Sequence, residues 1–208
     1  MLKRIGAIMM AGGAAAALSF TLGATSSSAT TARMTWTVKP GGAVTGKAGK
    51  TTLRDTKTGT TLTCASSATK AKLKSGSGLS NPLGKITSVT FSNCTGPGGL
   101  VFTAKTSASS SNPWPLSGSS FSSGVTKGKI TNIKASISGT GCSAKVAGTT
   151  ASTPGKVTGT YSNSTGKLKV SGGNLHVWKV NGCFGLIHSG DPSSFTGTYT
   201  ITPKQTIS

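Results

Sequence analysis

Phe195-Thr196-Gly197-Thr198-Tyr199-Thr200-Ile201-Thr202 alternates without a break: Phe195, Gly197, Tyr199 and Ile201 fall on one side, four threonines on the other. Successive side chains of a strand point to opposite faces, so a period of two with one polar face predicts a half-buried antiparallel strand.

The same reading extends upstream. Lys167-Leu168-Lys169-Val170 alternates, and in Lys70-Ala71-Lys72-Leu73-Lys74 the lysines share one face while Ala71 and Leu73 share the other. Thr35 to Val38, Thr60 to Cys64 and the run through Leu100, Phe102 and Ala104 supply further strands. Gly, Pro, Asn and Ser interrupt the chain too often for an amphipathic helix of ordinary length. Turn signals separate the runs at Asn81-Pro82, Gly96-Pro97-Gly98-Gly99, Ser162-Asn163, Gly172-Gly173-Asn174 and Asn181-Gly182. The expected fold is therefore all-β: an antiparallel β-sandwich or a partly closed β-barrel, one domain over residues 50–208. Residues 30–49 read as a partly mobile lead-in. The Ser-rich stretch Ser107 to Ser123 reads as a long loop with one ordered knuckle at Asn112-Pro113-Trp114-Pro115-Leu116.

Two short echoes refine this picture. Gly84-Lys85-Ile86-Thr87-Ser88-Val89 resembles Gly128-Lys129-Ile130-Thr131-Asn132-Ile133, and in both the apolar parity switches after the isoleucine. A β-bulge re-aims a strand in that way. Val157-Thr158-Gly159-Thr160-Tyr161 resembles Phe195 to Tyr199, with a central glycine that marks a bend or a close backbone approach.

The N-terminus has Lys3 and Arg4, an uncharged apolar run from Ile5 to Leu22, and then small residues up to Ala29. That order predicts a signal peptide over residues 1–29, cleaved near Ala29 or Ala32, and a secreted or surface-associated product. Cys64, Cys94, Cys142 and Cys183 all follow it, and an even number of cysteines in a small exported domain predicts disulfides. Pairing Cys64 with Cys94 and Cys142 with Cys183 closes two moderate loops and is favoured over the other connectivities. No C-x-x-C pair occurs and His176 and His188 are the only histidines, so neither a metal site nor a cofactor is expected.

Charge sets the class of partner. Twenty-two Lys and Arg against Asp55 and Asp191 give a formal +20. The excess comes from missing acids more than from clustered bases. Such a surface attracts anionic cell-wall polymer, acidic polysaccharide or an anionic lipid surface. Sequence-specific nucleic-acid recognition is not expected, because no zinc finger, helix-turn-helix or RNA-binding aromatic signature is present. The candidate binding residues are the outward Lys70, Lys72 and Lys74, and Trp114, which two prolines would hold out as an exposed platform. Trp178, in a run apolar on both faces, reads as core, and Trp36 as packed on a sheet edge.

Gly182-Cys183-Phe184-Gly185-Leu186-Ile187, Gly190-Asp191 and Phe195 to Tyr199, with Leu62-Thr63-Cys64 and Asn93-Cys94-Thr95 earlier, resemble small exported proteins of high-GC actinobacteria. The resemblance covers Thr60 to Pro203. It implies export and a β-fold and brings no activity with it.

Four functions follow from these residues. The leading expectation is an exported, non-catalytic basic β-domain that associates with anionic envelope or extracellular polymers. The alternatives are a carrier for a small apolar ligand, a surface oligomer or pore, and a hydrolase. The hydrolase would use His188 and Asp191 with Ser189. Against it, residues so close on a turn rarely converge into a triad, and Gly190-Asp191-Pro192 has the composition of a turn in which Asp191 bonds nearby backbone.

Overall fold

The computed structural model describes residues 34–208, and the expected signal peptide lies outside the described residues. Within them the chain forms β1 (Trp36–Lys39), β2 (Gly42–Ala48), β3 (Thr51–Asp55), β4 (Thr61–Leu73), β5 (Gly76–Leu79) and β6 (Gly84–Thr95). There follow β7 (Val101–Thr106), β8 (Trp114–Ser122), β9 (Val125–Ile133), β10 (Ala135–Gly139) and β11 (Cys142–Ala147). The last are β12 (Gly155–Ser162), β13 (Lys167–Gly173), β14 (Leu175–Gly182), β15 (Pro192–Thr202) and β16 (Thr206–Ile207). All strand pairs are antiparallel.

Thirteen strands form one sheet that closes on itself twice. One circuit runs β13-β12-β9-β8-β6-β4-β2-β15 and returns to β13. The other runs β6-β7-β10-β11-β14-β15-β3-β4 and returns to β6. The long strands β4, β6 and β15 belong to both. Each gives one end to each circuit: Ala48↔Ser67 joins β2 to β4, and Thr51↔Cys64 joins β3 to β4. Closure removes the unpaired edges that a long Thr-rich sheet would otherwise offer to other chains.

The alternation expected along β15, β13 and β4 is present. Tyr199 and Val170 are buried, Leu168 and Ile201 half-buried, and the intervening threonines and lysines face out. Both expected bulges are there too. Thr87 is the extra residue of β6 between the pairs Lys70↔Ser88 and Ala71↔Ile86. In β9 the extra residue falls between Ile130 and Ile133, where Asn132 has φ +65°. Gly159 lies against the Lys169 backbone, leaving no room for a Cβ.

Two expectations are corrected. Residues 36–48 are no lead-in: they are β1 and β2, and Trp36 and Val38 are buried. Ser107 to Ser123 is half strand β8, with the part before Trp114 left as loop and Ser123 in the turn to β9. Serine is weak as a strand signal, but β6 and β9 on either side fix β8 by the pairs Ile86↔Trp114 and Leu116↔Ile130.

A three-stranded sheet, β16-β1-β5, packs Trp36, Val38 and Ile207 against Val44, Leu73 and Tyr161 of the first circuit and against Leu83 just before β6. Buried Gln205 locks it. Its Oε1 accepts the Gly41 N–H at 2.8 Å, and its backbone exchanges two hydrogen bonds with the Tyr161 hydroxyl, each 2.9 Å. The disulfides are Cys64–Cys94 and Cys142–Cys183, as favoured from sequence. Their presence is consistent with an exported or extracellular protein.

Candidate functional site

Asp55 and Asp191 are both buried, at 4% and 2% exposure, so the described domain exposes no side-chain carboxylate at all. The structure brings these two acids together. Asp55 Oδ1 accepts the backbone N–H groups of Lys57 and Thr58 at 2.8 and 2.9 Å. Asp191 Oδ2 accepts the His188 N–H at 2.8 Å, and Lys57 Nζ lies 3.2 Å from Oδ1. Each acid therefore serves as a turn cap. Burial alone would push the Asp191 carboxyl up. The His188 N–H and the Lys57 ammonium outweigh burial and hold it below its ordinary value.

A lowered folded value means that the deprotonated acid stabilises the fold. That contribution is fully present above about pH 4, where the unfolded carboxyl is ionised. It is lost as pH falls below that range and through the lowered folded value. Asp191→Asn is therefore expected to lower the melting temperature at pH 6 and to flatten its decline between pH 4 and 2. Parallel acid limbs for the two proteins would contradict this.

The His188 and Asp191 side chains do converge: His188 Nδ1 sits 3.3 Å from Asp191 Oδ2, contrary to the expectation from their spacing. The serine of the hydrolase reading is engaged elsewhere, since Ser189 Oγ accepts the Lys179 N–H at 3.2 Å. His176 stacks on Trp178, with ring centroids 6.2 Å apart.

The candidate binding residues are redistributed. Lys70 and Lys72 on β4 and Lys74 just past its end are exposed, as expected, and Lys72 stands directly opposite Lys85 of β6. Trp114 does not join them. It is no exposed platform: it is 6% exposed and faces the interior, with its Nε1–H donating to Ser107 Oγ at 3.3 Å. Pairing with Ile86 fixes that parity, which the flanking prolines do not reveal.

The accessible tryptophan is Trp178, half-buried on the outer face of β14. Lys145↔Trp178 and Ser143↔Asn181 leave one extra residue in β14, and Lys179, with φ +50°, occupies that bulge. The bulge turns Lys179 out beside Trp178 and returns Val180 toward the core. This is why both faces of the segment look apolar in sequence although the indole lies outside. Its Nε1–H donates to the Gly148 carbonyl at 3.0 Å, which fixes the ring plane.

Trp178 forms one wall of an open groove of about 340 Å³. Lys105, Lys134, Lys145 and Lys179 surround it, and Ser107 and Ser136 add hydroxyls. The pairs Lys105↔Ser136, Ser136↔Lys145 and Lys145↔Trp178 make one row across β7, β10, β11 and β14. With strands about 4.8 Å apart, the Lys105 and Lys145 backbones are about 10 Å apart, and the indole is the next step along. All four lysines are exposed.

The chain matches no protein-family model, no curated protein and no solved structure. An indole of fixed plane offers a flat apolar face, the serines offer hydrogen bonds, and four ammonium groups offer charge with no acid nearby to neutralise them. On the outside of β4, β13 and β15, lysine and threonine stand where a membrane-spanning barrel carries an apolar band.

Proposed function

We propose that this protein is an exported, non-catalytic module that holds anionic, sugar-containing polymers of the envelope or matrix in the Trp178 groove. The observation that carries this reading is the acid-free ring of Lys105, Lys134, Lys145 and Lys179 around a half-exposed indole. A sugar ring stacks on the face of Trp178, and phosphate or carboxylate groups of neighbouring units meet the lysines. The basic and then apolar N-terminus supports removal of a signal peptide on export, and the disulfides agree with an oxidising destination. A single aromatic in the row suits a sugar better than a run of bases, which needs successive stacking platforms.

Cosedimentation of the mature protein with purified cell wall tests the reading. Retention is expected at low salt and release as the Debye length contracts. Trp178→Ala leaves the charge unchanged and is expected to weaken binding about three- to tenfold, the usual worth of an aromatic face. Neutralising Lys105, Lys145 and Lys179 to glutamine is expected to cost more than the same change at Lys70, Lys72 and Lys74. No retention at low salt, or equal losses from the two triple variants, would overturn the proposal.

A further inference from the structure

Eight-stranded closed sheets have an interior that side chains either just fill or leave open for one small ligand. This chain has little with which to fill two of them. Ala104 and Ala135, with several threonines, stand where larger residues would close the space. Leu53, Val89, Phe91, Ile137 and Phe195 all line the interior, yet each stays only half-buried, because a cavity of about 110 Å³ lies between them. Phe91 and Phe195 meet edge to face in its wall, with centroids 5.8 Å apart.

This waist cavity does not stand alone. It shares Leu53, Leu62 and Ile137 with a cavity of about 60 Å³ at the open end of the second circuit. It shares Thr69, Ile86 and Leu168 with one of about 80 Å³ inside the first circuit. Along β4 the walls follow in order: Leu62 at the mouth, Cys64 and Thr69 at the waist, Ala71 and Leu73 beyond. The far end is closed by Trp36, Val38 and Ile207. The mouth is open and its rim is apolar: Leu100, Phe184 and Leu186 line it, and Phe184 is 73% exposed.

The turn that carries Phe184 is strained. Cys183 and Phe184 have φ of +66° and +52°, and the Cys142–Cys183 bridge fixes the turn to β11. Consecutive non-glycine residues in the left-handed region persist only where their surroundings impose them, and they concentrate at ligand clamps and active sites. Here the strain holds a phenyl ring in solvent at the door of an apolar chamber.

We infer that the interior is a binding site for a narrow apolar ligand, the alkyl end of a small amphiphile, which enters past Phe184 and lies against the Phe91–Phe195 pair. An apolar cavity of about 150 Å³ stays dry and takes benzene or xenon, so the waist alone holds a short alkyl segment. The adjoining cavities accommodate a longer one. Thr106, Ala135 and Val146 border both this cavity and the Trp178 groove, but the two proposals rest on different observations, and either stands if the other fails.

Calorimetric titration and thermal melts with hexan-1-ol and octan-1-ol, with ethanol at equal concentration as control, provide the test. The two longer alcohols are expected to raise the melting temperature, and ethanol not to. Octan-1-ol is expected to bind about tenfold more tightly than hexan-1-ol, from two further buried methylenes. A negative heat-capacity change is expected to accompany binding. Ala104→Leu fills the waist and is expected to abolish binding while the protein remains folded. Xenon NMR on the unaltered protein gives a second readout that needs no variant: the methyl resonances of Leu53, Val89 and Ile137 are expected to shift. Alcohols that bind no better than ethanol, xenon-insensitive methyls, or undiminished binding in a folded Ala104→Leu protein would each overturn the inference.

Discussion

Replacing Cys64 and Cys94 together by alanine lowers the stability of the domain by about 3.5–4 kcal/mol, and replacing Cys142 and Cys183 does so by a similar amount. The bridges close loops with sequence separations of 30 and 41, and the cost of opening such loops in the unfolded chain gives that figure. Their positions argue against partial compensation. Cys64 stands directly opposite Cys94, so one bridge joins β4 to β6, two strands that both circuits share. The other ties the start of β11 to the turn after β14, at the mouth of the second circuit. The bridges constrain different loops, so the effects should add. A domain of this size has about 5–15 kcal/mol in hand, and its interior is short of large aliphatic residues, so loss of both bridges brings it close to unfolding. Urea titrations of each double variant are expected to show a lower midpoint with an unchanged slope. A shift worth less than about 1 kcal/mol in both would mean that the closed sheet, not the cross-links, carries the stability.

The strands that were legible are those whose parity is set by their own residues. Tyr199 and Ile201 against four threonines, or Leu168 and Val170 between lysines, admit one reading, and the partner strand only has to accept it. The two parity switches were legible for the same reason, since Ile86/Val89 and Ile130/Ile133 each break the alternation within one strand. What stayed hidden depends on partners far away in sequence. β8 is largely serine, and it is a strand because β6 and β9 flank it. The circuits close through pairs such as Leu168↔Tyr199 and Phe195↔Leu53, which no local pattern encodes. The groove is the clearest case. Its lysines come from residues 105, 134, 145 and 179, and its indole faces out only because one inserted residue in β14 shifts the parity. Trp114 and Trp178 thus exchange their expected places. A proline-flanked tryptophan took its direction from its cross-strand partner, and an apparently core tryptophan took its own from a bulge.

Trp36→Ala is expected to cost about 3–5 kcal/mol, the range for removing a large buried aromatic side chain. Trp36 is 1% exposed and belongs to a strand that pairs only with β5 and β16, outside both circuits. The indole lies against Gly118 so closely that a Cβ there would overlap it, and the backbone of Gly118 is held in place by two hydrogen bonds with the Asn81 side chain. Losing the ring opens the closed end of the first circuit and leaves Val38 and Ile207 without their largest neighbour. Trp36→Phe should cost far less, because the indole Nε1–H is buried with no partner. Phenylalanine keeps most of the apolar surface and removes a donor whose burial is itself unfavourable. The same contact makes a coupling test. Gly118→Ala in the unaltered protein forces the new methyl into the indole and should destabilise it. In the Trp36→Ala background that methyl enters the vacated space, and the penalty should vanish or change sign. Chemical denaturation of the four proteins gives the coupling directly, since residues in contact depart from additivity by about 0.5–3 kcal/mol. Additive costs would mean that β1 does not pack on β8, and that the first circuit is closed at that end by something other than Trp36.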